Sequence, residues 1–401
     1  MTDAQSGFLL SPVRVLDLST SIGAFCGKLL RDLGMDVIKI EPPSGDPLRA
    51  EPPFANAHLN REGSLRFAYL NAGKRSITLD LTRAEGRSLF LDLVQRSDIV
   101  IESYEPGHLN ALELGYDILR ERQPRLILAS ISGFGQTGPY AGYPVNDLVA
   151  GAMGGLLYIC GDPGATPCMP PETQSYYYAS IYAAYGIMLA LWQRESRGVG
   201  AHIDTSLQAS LALHEHVAFT YSTERRIIKR AGSQHQHNAP ANLFPCKNGY
   251  ISLFVTQNHW PIFLKVWEDH PPELDDPRWK SNAERRANAE RINSLVSTFT
   301  SRYTKEELSD LLQKNGIPAL PVNTSSDFLK DNHVRERGFF GSVTHPVIGS
   351  YLQPGAPYIT NGKRPAPAAA PLLGQHNQEI YNSELGLSVD ELDVLAAEQI
   401  I

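Results

Sequence analysis

Residues 13–41 read VRVLDLSTSIGAFCGKLLRDLGMDVIKIE, and this stretch decides the fold class. Residues 13–18 are a short apolar run that ends in the turn Ser19-Thr20-Ser21-Ile22-Gly23. Residues 24–33 carry a helical pattern, Gly34 ends that helix, and residues 36–41 (DVIKIE) read as a second strand. Strand, helix and strand within about 30 residues form a βαβ unit, which calls for a parallel sheet. Pro42-Pro43-Ser44-Gly45-Asp46-Pro47 must then be a loop, because three prolines prevent regular pairing. The alternation continues with strands at 76–81, 98–102 and 125–130 and helices at 82–96 and 117–122. A doubly wound α/β arrangement is expected.

Composition narrows the function classes. At 401 residues the chain should form two or three compact units. Hydrophobic residues make up 42% and charged residues 20%, enough for a sizeable core. The net charge of −7, without a basic run, argues against nucleic acid and anionic membrane as partners. No apolar run reaches the roughly 18 residues of a membrane span, and the first twelve residues lack a basic leader region. Cys26, Cys160, Cys168 and Cys246 form no CxxC pair, which suits a reducing cytoplasm with thiols buried as small hydrophobes. The expectation is a soluble cytoplasmic protein with a small-molecule or protein partner.

Further along, residues 133–139 (GFGQTGP) form a glycine-rich loop that matches neither GxGxxG nor GxxxxGK[ST]. In residues 170–191 (PPETQSYYYASIYAAYGIMLAL) and just beyond, Ile181, Ala184, Tyr185, Met188, Leu189 and Trp192 recur at helical spacing. Tyr176, Tyr177 and Tyr178 stand in a row where that helix begins. Successive helical positions point about 100° apart, so at least one ring should face something other than the core. A strand at 202–205 and an amphipathic region at 207–220 follow. Composition then shifts to the polar loop 232–240, a hairpin over 242–255 around Lys247-Asn248-Gly249, and helices at 260–267, 282–300 and 305–314. These predict a smaller second domain, left through an extended exit at 317–322. The proline-rich tail 355–371 is too apolar for a linker and should be strapped over another surface.

Several constellations carry possible chemistry. His214-Glu215-His216 and His235-Gln236-His237 resemble metal sites, but histidines at i and i+2 do not share a helix face. No GxSxG elbow is present. Asn71-Ala72-Gly73-Lys74-Arg75 sets two cations in a loop, which reads either as a solvated turn or as a fork for a phosphate-bearing ligand. Asp147 follows the glycine-rich loop beside Asn146, and helix capping competes with a chemical role for it.

Taken together, the stretches VRVLDLS, LLRDLGMDVIKIEPPSGDPLR, LNAGKRSITLDL, LELGYDILRERQPRLILASISGFGQTGPY, AAYGIMLAL, FPCKNGYISL, GIPALPV and PLLGQH resemble the class III CoA-transferases of the formyl-CoA transferase type. The resemblance spans nearly the whole chain. It implies a Rossmann-like large domain (1–224) completed by a returning C-terminal segment (326–401), with a smaller α+β domain at 225–325. It also implies an interlocked dimer. In that family an aspartate attacks the acyl-CoA, giving a mixed anhydride and then an enzyme-bound CoA thioester, from which the acceptor carboxylate takes CoA. That aspartate falls ten residues before the helix glycine, here Gly186, and the position is Tyr176. A phenol with a pKa of about 10 cannot do this chemistry. Glu172 is the nearby carboxylate, at the cost of a four-residue slip. The resemblance carries CoA contacts over to Asn71, Lys74, Arg75 and Ser103. Other positions depart from the family pattern: 102–107 (ESYEPG) stands where ENFRPG is common, 110–116 (NALELGY) where ERLGLGY is, and Tyr143 where an arginine is. Each lost charge-assisted contact weakens phosphate binding by about 1–3 kcal/mol. The related racemases need a histidine base where this chain has Asn146.

Three readings stay open at this point. One is a subunit of a heteromeric transferase, such as the succinyl-CoA-dependent benzylsuccinate and malate enzymes, with an Asp-bearing homologue supplying the nucleophile. Its tyrosine cluster favours the aromatic-substrate kind. In it CoA and acyl-CoA are substrates, bound here or only in the partner, with a small carboxylic acid as acceptor. No cofactor is held tightly and no metal is expected. The second reading is a homodimeric acyl-CoA enzyme of changed, isomerase- or racemase-like chemistry using Asp147 or Glu172. The third is a non-catalytic binding protein.

Overall fold

A computed structural model describes residue 10, residues 12–214 and residues 216–401, with His214 known by its backbone alone. Glu215 of the His214-Glu215-His216 motif, and all but residues 10 and 12 of the N-terminal twelve, lie outside the described residues. The chain divides into two compact units, Met1–Leu157 with Met169–Arg226 and Arg335–Ile401, and Tyr158–Cys168 with Ile227–Val334.

The first unit is a mixed α/β fold. In chain order it runs β1 (Arg14–Asp17), α1 (Ala24–Asp32), β2 (Asp36–Glu41), α2 (Leu65–Leu70), β3 (Arg75–Thr78), α3 (Ala84–Gln95) and β4 (Ile99–Glu102). It continues through α4 (His108–Ala111), α5 (Tyr116–Arg122), β5 (Ile127–Ser132), α6 (Asp147–Met153) and α7 (Leu156–Ile159). Then come α8 (Gln174–Arg197), β6 (Ala201–Ser206), α9 (Leu207–His214) and α10 (Val217–Glu224). Six strands pair in parallel in the order β3-β2-β1-β4-β5-β6, the Rossmann order. Gly34 stops α1 at φ +94°, the conformation the sequence reading required of it. The inner strands are buried on both faces, so β5 reads as an unbroken run of apolar and small residues and β4 as an apolar run that ends in the buried Glu102. Edge strand β6 alternates instead, with His202 and Asp204 exposed.

The second unit pairs β7 (Ala241–Cys246) with β8 (Gly249–Phe254) in the expected hairpin, joined by Lys247-Asn248. It adds α11 (Trp260–Val266), α12 (Asn282–Ala287), α13 (Ala289–Thr300) and α14 (Lys305–Lys314). The expected exit at 317–322 is more than extended, because β9 (Ala319–Pro321) pairs with β8 as a third strand. The expected helix over 282–300 is broken. Asn288 leaves helical geometry and donates its side chain to the Glu284 carbonyl, ending α12, as asparagine tends to do inside a helix. Trp260, Phe263, Trp267, Trp279 and Phe299 fill this unit's own core.

After α15 (Ser325–Lys330) and α16 (Asn332–Glu336) the chain returns to the first unit with the hairpin β10 (Phe340–His345) and β11 (Gly349–Pro354). The proline-rich tail is a strap, as expected. Its Ala366 and Ala369 carbonyls accept from Arg31 and from the Gly73 N–H. A π-helical turn, Gln378–Glu384, then buries Tyr381, whose hydroxyl donates to the Thr78 carbonyl at 2.7 Å. The last helix is α17 (Val389–Ala397). Among the described residues, no helix is long and apolar enough to cross a membrane.

Candidate functional site

Helix α8 sets the geometry of the site. Thr173 precedes it as N-cap, yet the Thr173 side chain makes no capping hydrogen bond. The acceptor comes from α6 instead. Asp147 Oδ1 accepts from the Ser175 N–H at 2.7 Å and from Ser175 Oγ at 2.5 Å. A carboxylate in that place satisfies an orphan donor and meets the positive end of a 24-residue helix. The sequence offered Asp147 as the cap of its own helix, and this is corrected here. Asn146 caps α6, accepting from the Val149 N–H at 3.0 Å, while Asp147 one residue on turns to α8. With 8% of its surface exposed and two donors on one oxygen, Asp147 is committed to holding α8. Both bonds fall on Oδ1, so any base chemistry at this residue would fall to Oδ2.

The residue after Ser175 is Tyr176. Burial pushes its phenol up, the Asp147 charge adds to that, and a hydrogen bond with the Asp147 backbone opposes it. The hydroxyl is therefore neutral at neutral pH and cannot accept an acyl group as a carboxylate does. The three consecutive rings diverge, as helical spacing predicts. Tyr176 and Tyr178 lean on the core between the sheet and α1 and α8. Tyr177 turns to Phe25, edge to face at 4.9 Å, and Phe25 in turn stacks near Tyr69. Glu172 is exposed, sits at φ +62°, and lies near enough to Tyr177 for its charge to raise that phenol.

The residues carried over for CoA sit elsewhere in the same unit. Lys74 and Arg75 do not open a fork, and the loop reading is corrected as well. Lys74 Nζ is fully buried, bonded to Asp17 Oδ2 at 2.7 Å, Asn71 Oδ1 at 2.8 Å and the Ala24 carbonyl at 3.0 Å. Burial alone would raise the Asp17 carboxyl, but Lys74 and Lys39 hold it below the usual range. Arg75 opens β3 and reaches the other way, to both oxygens of Asp36 and to Glu384 and Glu379. Ser103 Oγ accepts from the Thr20 N–H at 2.9 Å, tying the loop after β4 to the loop after β1. That junction is where the strand order reverses, the place where open α/β sheets bind ligands. Asp17 and Ser175 are the partners the sequence reading missed. A lone acid inside the run VRVLDL was the available signal for Asp17, whereas Ser175 offered none. Among the described residues, no three His, Cys, Asp or Glu gather to hold a metal.

A family model described as CoA-transferase family III matches residues 10–377. The chain belongs to this family. It is 34% identical over 399 residues to the succinyl-CoA--D-citramalate CoA-transferase of Chloroflexus aurantiacus, covering 98% of each chain. It is 32% identical over 400 residues to the succinyl-CoA:(R)-benzylsuccinate CoA-transferase subunit BbsE of Thauera aromatica, covering 96% of each. Its fold matches the crystal structure of a CAIB/BAIF family protein from Brucella suis with a TM-score of 0.83 at 29% identity, over 94% of this chain and 99% of that one. The names of these transferases make CoA thioesters their substrates, which is the chemistry of CoA-transferase family III. In this family member, then, α8, whose first turn carries Ser175 and Tyr176, is anchored by Asp147, while that turn itself holds no carboxylate.

Proposed function

We propose that this chain is one subunit of a CoA-transferase that moves CoA from an acyl-CoA donor, succinyl-CoA, to a carboxylic acid, and that a homologous partner supplies the acyl-accepting aspartate. The carrying observation is Tyr176. A neutral, half-buried phenol occupies the position that the family resemblance gives to the nucleophile, and the nearest buried carboxylate, Asp147, is spent on Ser175. The cations near the sheet's switch point fit the same reading. Lys74 and Arg75 are neutralised by Asp17, Asp36, Glu379 and Glu384, so Asn71, Lys74, Arg75 and Ser103 form a remnant CoA rim and the charged CoA site belongs to the partner.

Helix α8 supports the interlocked assembly. Its apolar stripe of Ile181, Tyr185, Leu189 and Trp192 is 47%, 63%, 47% and 78% exposed in the single chain, more apolar surface than a lone subunit ordinarily leaves in water. A partner chain would cover it. The domain plan of this reading is 1–224 and 326–401 for the large domain and 225–325 for the small one. The tyrosine cluster Tyr176, Tyr177, Tyr178 and Tyr182 favours an aromatic acceptor acid. Similarity to a relative that is itself named as a subunit points the same way.

Native mass spectrometry of the protein isolated from its own host, paired with a succinyl-CoA transfer assay, tests the proposal. One 44.2 kDa chain joined to a different chain of similar size, active only together, is expected. A homodimer that transfers CoA by itself overturns the reading and moves the chemistry to Glu172, the exposed carboxylate ahead of α8.

A further inference from the structure

Two of the four thiols come together in a way that neither their spacing nor the transferase chemistry accounts for. The sequence suggested four thiols buried as small hydrophobes. Only Cys26 is fully buried, while Cys168 is exposed and Cys160 and Cys246 are half-buried. The Cys168 N–H donates to the Cys160 carbonyl at 3.1 Å, closing the loop between them. With standard covalent geometry, one bond of that length keeps their Cα atoms within about 7 Å, the outer limit for a disulfide. Gly161 turns the chain at φ +110°, and a Cβ built there would lie 3.0 Å from Cys168 Sγ. The Cys168 sulfur therefore rests over the residue next to Cys160. The base of the loop is braced within the second unit. The Gly232 N–H donates to the Gly161 carbonyl at 3.0 Å, and Arg230 donates to the Tyr158 carbonyl at 2.8 Å with its guanidinium over the Tyr158 ring. By contrast, burial pushes the thiols of Cys26 and Cys246 up, away from the reactive thiolate.

We propose that Cys160 and Cys168 are a reversible redox pair that closes the 160–168 loop as a disulfide when it meets a low-molecular-weight disulfide such as oxidised glutathione. The exposed Cys168 thiolate attacks one glutathione sulfur, forming a mixed disulfide and expelling one glutathione thiolate. The Cys160 thiolate then attacks the Cys168 sulfur, forming the Cys160–Cys168 bond and expelling the second glutathione. Two cysteine thiols lose two protons and two electrons, and one glutathione disulfide becomes two thiols. The chain runs on from Cys168 through residues 169–173, which lie outside the closed loop, before α8 begins at Gln174. The proposal does not depend on which subunit performs the transfer.

The test uses the native protein as isolated, equilibrated with oxidised and reduced glutathione, quenched with N-ethylmaleimide and read by intact mass and peptide mapping. The expected result is an intact mass lower than that of the equally quenched reduced protein by two N-ethylmaleimide groups and two hydrogens, because the two linked sulfurs cannot be alkylated. A single linked peptide pair should contain Cys160 and Cys168, be reversed by dithiothreitol, and be absent in Cys168→Ser. Cys26 and Cys246 should stay out of the linkage. A lasting glutathione adduct on Cys168, a link from Cys168 to any other cysteine, or full alkylation of both residues at every glutathione ratio would overturn the proposal.

Discussion

The two long faces of α8 are built on opposite rules. Toward the sheet, α8 presents Ser175, Ala179, Ser180, Ala183, Ala184, Ile187, Ala190 and Leu191, mostly small residues that let the helix lie close on its neighbours. Toward solvent it presents Ile181, Tyr185, Leu189 and Trp192, which are large and apolar. A self-sufficient surface helix would reverse this, with its bulk inside and polar groups outside. The small face lets the helix pack against its own sheet, and the large face is the one the proposed partner would cover. Tyr176 and Asp147 lie at the end of the helix where the close-packed face begins.

The largest effect should come from the outer face. Replacing Tyr185 and Trp192 together by serine removes two aromatic anchors, each worth about 2 kcal/mol or more at an interface centre. Sedimentation at micromolar concentration should show the assembly falling to single chains, with circular dichroism of each chain unchanged. An intact assembly would detach the exposed stripe from subunit contact. On the inner face, Ala183→Leu overpacks a fully buried site and should cost about 1–3 kcal/mol, seen as a lower urea midpoint at unchanged slope. Asp147→Ala withdraws the carboxylate that accepts from Ser175 at the first turn of α8 and should cost about 0.5–2 kcal/mol. Hydrogen exchange should then quicken at residues 174–178 and leave the far end of the helix alone. The smallest change is Ile181→Ser measured on a dissociated chain, within about 0.5 kcal/mol of the parent, since the side chain is half exposed there. A loss as large as that of Ala183→Leu would mean that the single chain covers the stripe itself.

The parts of the fold that repeat over short distances were legible from the residues. The βαβ unit, the turn at Gly34 and the hairpin at Lys247-Asn248 each rest on contacts within one or two elements. The break at Asn288 was missed because asparagine is tolerated in helices often enough to hide a local stop. Tyr176 was legible through its distance from Gly186 in the family pattern. Its surroundings were not, because Ser175 and its acceptor Asp147 are 28 residues apart and neither stands out alone. The pairing of Lys74 with Asp17 spans 57 residues, and without it Lys74 and Arg75 look like an open cationic fork.

Periodicity, turn residues and the missing carboxylate belong to the sequence by itself: a parallel α/β sheet, a long helix at residues 174–197, and a tyrosine where the family resemblance expects an acid. The tertiary structure alone decided which charges are spent inside the protein and which face of α8 is left uncovered. Helical period is set by backbone geometry within a few residues, so it survives in the one-dimensional pattern. Which distant carboxylate meets a lysine, or which stripe of a helix meets its own sheet, depends on strand order and packing over the whole chain, and no local pattern encodes that.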